Sequence, residues 1–521
     1  MSDAYDRQLV SEDTTTFERF CGGIVGVSFL LFVFGLTTLF QVASLDTRIL
    51  GLELVQFFGL GLTVVGVTVL AVGAASRTDT VDTMPGDTSG IGVAVGFGLI
   101  GVVIGGLTAS QTFGLGLVGW LLAALVLGGA MAAVALFTRE DVGSTVLPGG
   151  VAIAVGLVLL FEVIGPEWSW APGDFSATFN ALVVVAVLVS FSSLLLTWTG
   201  AKAYAGFGSR GRQNGAYLLI GLNAITMIAI LLLLVVFVFS KGWPALTRGL
   251  QIGPGLNLDI PFLMNVSQGI YVDVPGVLPA IMGTVWIIIG ASLFAIPLGV
   301  GAAIFLTEYA EQGNFTRVVE ITTNGLWSTP SVVFGLFGYA FLVPRFGNNQ
   351  SLLIAMLVLG FMLLPLVVIT SREALKSVPS DYRDASAALG VSQWQTIRSV
   401  VLPAALPGVI TGVILGIGRI AGETAPLILV LGGTPFPSTV PRVIEGFEFT
   451  MAPPFISNDV LLQSTSALPY QIYASITAGV GTQDAQAFGW GTALVLLLVV
   501  LSFYLVGIIA RKYFSRKLRS D

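Results

Sequence analysis

Histidine is absent from the 521 residues, and cysteine occurs once, at Cys21. These absences exclude disulfides within the chain, Cys/His zinc sites and the paired-histidine helix of metalloproteases. Cys21 opens an apolar run and reads as a small packing residue. Charge is scarce as well: Asp, Glu, Lys and Arg make up 10% of the chain, against 55% hydrophobic residues. So few charges cannot cover a water-soluble surface of this length, and the composition dictates a polytopic membrane protein. No lysine follows a glycine, so the Gly-Lys-Ser/Thr ending of a phosphate-cradling loop is missing. The chain is therefore not expected to be an enzyme that hydrolyses ATP by itself, and no Gly-x-Ser-x-Gly nucleophile elbow is present either. A net charge of −6, carried mostly in loops and termini, marks no nucleic-acid surface.

What is present is a recurrence of apolar runs of helix-spanning length, enough for about twelve transmembrane helices. Backbone groups in a bilayer must bond internally, and no barrel-type alternation appears, so the fold class is an all-α integral membrane protein. The spans fall near residues 20–40, 54–75, 90–109, 113–137, 148–165, 178–199, 215–240, 276–307, 323–344, 351–370, 404–433 and 488–510. The leader before the first span lacks the basic start and small-residue cleavage site of a signal peptide, so that span is expected to be retained. With the N-terminus inside, the inside loops hold Arg7, Arg19, Arg77, Arg139, Lys202, Arg210, Arg212, Arg317, Arg372, Lys376, Arg383 and Arg398. The basic C-terminus from Arg511 to Arg519 falls inside too, while the outside loops hold only Arg48, Lys241, Arg248, Arg345 and Arg442. This asymmetry puts both termini in the cytoplasm.

A basic, glycine-containing connector at 200–214 divides the chain into 1–205 and 206–521. The first part is rich in Gly, Ala and Val, with Gly92, Gly96, Gly101 and Gly105 as a close-packing face. Apart from Glu162 near one end, its spans carry almost no ionisable residues, so it reads as an accessory bundle of about six helices. The second part has two extracytoplasmic segments, 241–275 and 432–487. The latter is stiffened by Pro435, Pro437, Pro441, Pro453 and Pro454 and reads equally as a partner-receiving surface or a connector.

Two constellations carry chemistry. The first is the polar island 371–403. Its first helix is expected from Asp381, capped by Ser380 or Asp381, with Tyr382, Ala385 and Leu389 on one apolar face. Gly390 permits a tight turn. A second helix from Ser392 to Val401 carries Trp394 and Ile397 before Pro403 opens the next span. A helix, a glycine turn and a second helix make a knob able to fill a partner's groove. The competing reading is an amphipathic helix on the membrane surface. The second constellation is Gly416 to Pro426. Arg419 and Glu423 are four apart and expected on one helix face inside a span, where charge is costly and faces a bundle interior or a water-filled cavity. Arg419 offers permanently charged, planar donors suited to an oxyanion. Glu423 is expected to hold or tune it; a structural ion pair is the alternative. Gly418 and Gly422 are expected to allow close backbone approach, and Pro426 to kink the helix.

Asp384-Ala385-Ser386, then Gly390, then Val400-Val401-Leu402-Pro403 fall at the spacing of the EAA loop that docks ABC-importer permeases on their ATPase. Residues 215–517 resemble the PstA-type permease subunit of phosphate ABC importers. The stretches that carry the resemblance are Ala302 to Ala310, Asn324 to Gly338, Val378 to Ile397, Gly416 to Leu427 and Ala467 to Tyr473. Departures are mild: Asp384 replaces the usual Glu, Ser386 the usual Ala and Val400 the usual Ile. The extra N-terminal spans have no counterpart in the six-helix family core.

The resemblance implies that the C-terminal six helices form a type I ABC-importer permease core in the cytoplasmic membrane. It also implies that Asp384, Ala385, Ser386, Gly390, Leu402 and Pro403 couple to an ATPase, and that Arg419 and Glu423 line a path for inorganic phosphate. The implied partners are a cytoplasmic ABC ATPase dimer, a sister permease in a heterodimer and an extracytoplasmic phosphate-binding protein. No cofactor is expected on this chain, since ATP is used by the partner. A permease for molybdate, sulfate or a phosphonate is the alternative. An ion-driven secondary transporter would want midplane carboxylates or broken helices, and only Glu423 is a candidate.

Overall fold

The computed structural model describes residues 14–39, 43–49, 51–172, 176–253, 258–266, 276–311, 313–433, 436–451, 455–478 and 483–520. Arg7, Pro435, Pro453 and Pro454 lie outside them. Among the described residues, eleven helices are long and apolar enough to cross a membrane, or twelve if one bent pair counts as a span. Short antiparallel strand pairs, such as Arg48–Ile49 with Leu52–Glu53, are confined to the loops. The chain forms two compact units, 1–230 and 231–521.

The first unit holds α1 (Thr16–Leu39), α2 (Leu54–Arg77), α3 (Ile91–Leu107), α4 (Leu117–Phe137), α5 (Glu140–Leu160), α6 (Ala181–Tyr204) and the first part of α7 (Gly208–Leu246). Helix α2 packs on α5, α1 on α6 and α3 on α4. The α2–α5 seam is built from glycines that the sequence reading passed over. A Cβ at Gly59 would sit 2.5 Å from Leu160 N, and one at Gly66 would sit 3.0 Å from Gly149 O. Of the expected small face on α3, Gly101 and Gly105 do meet α4, whereas Gly92 and Gly96 face open space.

The expectation that this part holds almost no charge at helix depth is corrected. Helix α5 begins at Glu140, not near 148, and Glu140 and Asp141 are fully buried. Glu140 Oε1 lies 2.8 Å from Lys202 Nζ, while its Oε2 accepts from Arg212 Nη1 and from the main-chain N–H groups of Gly86 and Gly208. Asp141 accepts from Arg139 and Ser76. A hydropathy reading cuts the helix at its polar first turn. The acids there are favoured by the helix N-terminus and by their cationic partners.

The second unit continues through the short α8 (Pro261–Met264) to α9 (Leu278–Ile304), α10 (Asn314–Ser328), α11 (Ser331–Phe337) and α12 (Leu352–Lys376). Next come α13 (Ser380–Ala388), α14 (Gln393–Thr396), α15 (Leu402–Ala421), α16 (Ala425–Val430), α17 (Leu468–Ala478) and α18 (Gln483–Ser520). Helix α12 is the core of this unit, packed by α9 and α15 and touched by α10, α11 and α16. Its Leu352, Ile354, Leu359, Leu363 and Val367 are buried with Ile287, Ala291 and Ala295 of α9.

Two expected spans are not straight. The 323–344 span is the pair Asn314–Ser328 and Ser331–Phe346, bent by 100°. The break sits at Thr329-Pro330, because the residue before a proline is pushed out of helical conformation, and Thr329 has φ −68 and ψ 132. The 404–433 span ends at Ala421.

Candidate functional site

The polar island folds as a knob. Pro379 occupies the N-cap of α13, so Ser380 and Asp381 lie inside the first turn and neither caps through its side chain, against expectation. Asp381 still faces the positive end of the helix dipole. Gly390 has φ +72, a left-handed turn that only glycine adopts freely. Ser392 and Gln395 then form a capping box that starts α14.

The second leg is not the separate helix expected from the sequence. It passes through a π turn at Ile397–Val401 into α15, giving one helical run from Gln393 to Ala421. Leu402 and Pro403 are half-buried in that run. Any displacement of the knob is thus delivered along a single rod, whose length from Leu402 to Arg419 is about 25 Å.

Glu308, which the sequence reading left without a role, fastens the knob. It lies in the π turn Phe305–Tyr309 that continues α9, and its side chain is 7% exposed. Arg383 of α13 donates from Nη2 to Glu308 Oε1 at 2.7 Å and from Nε to Oε2 at 3.1 Å. Arg383 also donates to the carbonyls of Leu375 and Val378. Gln393 Nε2 donates to the main-chain oxygen of Glu308 at 2.5 Å. The bond to Glu308 raises the Arg383 pKa above its ordinary value, against the opposing effect of burial.

Of the expected coupling residues, Asp384, Ala385 and Gly390 are exposed, while Ser386 is buried and donates to Tyr382 O at 2.9 Å. Ser386 is thus turned inward on α13, Leu402 and Pro403 are half-buried in the rod, and other side chains form the outer face of the knob. Tyr382, Trp394 and Leu389 are exposed there, Leu389 at 82%. Three large apolar side chains are thus left uncovered on a polar segment.

At the far end of α15, Arg419 and Glu423 do not share a helix face. Gly422 is the C-cap of α15, Glu423 and Thr424 are non-helical, and Pro426 sits in the first turn of the new helix α16. Glycine and proline thus divide the run, and Pro426 starts a helix where a kink was expected. Within this chain nothing lies within 4 Å of a Cβ built on Gly422, whereas one on Gly418 would meet Tyr504 of α18. Both charged side chains are half-buried. Among the described residues no ion pair joins them; the Arg419 guanidinium lies 4.0 Å from the centroid of the Trp327 ring. A cation held over an aromatic face keeps its N–H groups free for another acceptor. Trp327 lies in the last turn of α10, whose Glu320 forms an ion pair with Arg372 of α12. Neither contact was read from the sequence.

Residues 295–520 match the family profile described as binding-protein-dependent transport system inner membrane component. The phosphate transport system permease protein PstA 1 of Mycobacterium tuberculosis is 32% identical over 282 residues, which cover 54% of this chain and 82% of that protein. The probable ABC transporter permease protein YqgI of Bacillus subtilis is 32% identical over 250 residues, 48% of this chain and 81% of that one. PstA of Haemophilus influenzae is 30% identical over 306 residues, covering 59% and 96%.

Proposed function

This chain belongs to the binding-protein-dependent transport-system inner membrane components, as a PstA-type permease of an ABC importer, and from that premise we propose that it forms the path of inorganic phosphate across the cytoplasmic membrane. The observation that carries the proposal is the continuity of the knob with the helix bearing Arg419. An ATPase dimer gripping Tyr382, Leu389 and Trp394 moves α15 as a rod, and Arg419 moves with it. Asp384, Ala385 and Gly390 lie on the gripped surface. Both termini and the knob face the cytoplasm, following the lysine and arginine bias. The chain binds no cofactor of its own and draws its work from ATP spent by the partner. A sister permease completes the path, and an extracytoplasmic binding protein delivers the anion. Residues 1–205 act as an accessory bundle attached to the permease part, 206–521.

Phosphate is favoured over other oxyanions by the run Gly422-Glu423-Thr424-Ala425-Pro426 beside Arg419 and by the names of the relatives. The guanidinium itself accepts any tetrahedral anion. Labelled-phosphate uptake by proteoliposomes holding the full complex, with sulfate, molybdate or a phosphonate as competitors, tests the substrate. Phosphate accumulation that resists the competitors is expected. Loss of phosphate uptake to one of them reassigns the substrate.

A further inference from the structure

Helix α10 carries Glu320, Thr323, Asn324 and Trp327 at the spacing of one helix face. Two of these four reach arginines of the core: Trp327 stacks on Arg419, and Glu320 pairs with Arg372. Between α10 and the last turns of α12 lies a pocket of about 220 Å³ with one apolar wall, whose polar lining is Glu320, Thr323, Asn324, Arg372, Glu373 and Lys376. The Arg372 side chain is only 12% exposed, yet its buried Nε has no hydrogen-bond partner. A buried guanidinium donor left unpaired costs free energy, so Glu320 alone does not satisfy the Arg372 head. Lys376 lies one turn further along the same face of α12, and its present partner is Glu373, 3.4 Å away. Thr323 donates its hydroxyl proton to Val319 O, so the Asn324 amide is the neutral donor lining the pocket.

We propose that this pocket is a second, transient site for the transported tetrahedral oxyanion, with Arg372 as its ligand and Glu320 as the internal carboxylate it displaces. The inference rests on the importer reading. Two cations and two carboxylates leave the empty pocket near neutrality. An arriving anion takes the Arg372 fork and the Lys376 ammonium in competition with Glu320 and Glu373. That competition makes binding weak and release easy, which suits a station between Arg419 and the inner face. The α10 stripe joins the two stations: Glu320 and Trp327 are seven residues apart, about 10 Å along the helix.

The test is equilibrium binding of radiolabelled inorganic phosphate to the full chain in phosphatidylcholine nanodiscs. Arg419→Gln serves as background, so that only the second site is read. In that background phosphate binding persists, Arg372→Gln abolishes it, and Glu320→Gln strengthens it several-fold because the competitor is gone. A merely structural ion pair predicts no gain for Glu320→Gln, and weaker or unchanged binding overturns the proposal. Should Arg372→Gln fail to fold, Glu320→Gln alone decides. Repeating the titration in phosphatidylglycerol nanodiscs separates the sources of phosphate. Unchanged affinity supports the free anion, whereas displacement by the lipid assigns the pocket to a headgroup and overturns it. Sulfate binding in place of phosphate keeps the pocket and removes the phosphate reading. Absent binding in the Arg419→Gln chain, while the complex of the native chain still takes up phosphate, removes the pocket alone.

Discussion

Glu308 holds Arg383 by both prongs of the guanidinium, at 2.7 and 3.1 Å, while its own carbonyl oxygen receives Gln393. One residue at the end of α9 therefore secures both legs of the knob. The carboxylate is almost fully buried, which separates this pair from surface ion pairs of negligible worth.

Removing half of the clamp leaves a buried charge or an orphaned guanidinium. Glu308→Gln is predicted to destabilise the knob by on the order of 2 kcal/mol. Faster hydrogen exchange over 380–396 and ATP hydrolysis no longer matched by uptake are the expected readouts. A double-mutant cycle with Arg383→Gln that returns no coupling energy contradicts the clamp.

Gly390 turns the chain with φ +72, and nothing lies within 4 Å of where its Cβ would be. The penalty for Gly390→Val is thus conformational and not a clash, about 1–2 kcal/mol. The variant is predicted to insert and fold but to lose ATP-driven uptake. Uptake at the native rate shows that the turn geometry is dispensable.

Arg419→Ala and Glu423→Gln are each predicted to reduce ATP-dependent uptake severely while leaving a folded protein. Because no ion pair links them, the coupling between them in a double-mutant cycle is predicted to fall below the roughly 3–5 kcal/mol lost on breaking a buried pair. A large non-additive term in thermal unfolding indicates that they pair after all.

The glycine seam of the first unit predicts that Gly59→Leu separates α2 from α5, since the new side chain meets the backbone of Leu160 and Gly156. A lower unfolding temperature for that bundle is the expected result. Deleting 1–205 outright is predicted to leave a chain that still binds the ATPase. Complete loss of binding shows that the bundle is no accessory.

The number of spans was legible because twenty apolar residues in a row have few alternatives. The knob was legible because Gly390 and the polar island interrupt that pattern. Helix ends were not. Ala421 to Pro426 sits inside an apolar stretch, where one glycine and one proline decide whether Arg419 and Glu423 share a face. Glu140 and Asp141 were read as loop because charge masks a helix start. The pairs Glu308–Arg383 and Glu320–Arg372 join residues from different helices. Only the three-dimensional packing of α9, α10 and α12 brings them together.

The most direct measurement is site-specific crosslinking at Leu389, the most exposed apolar side chain of the knob. Leu389→Cys, in a chain whose only native cysteine is the buried Cys21, is predicted to crosslink to the ATPase subunit in the assembled complex, with an efficiency that changes on ATP binding. Labelling of Leu389→Cys only from the extracytoplasmic side, or no crosslink to the ATPase in a complex that transports, contradicts it.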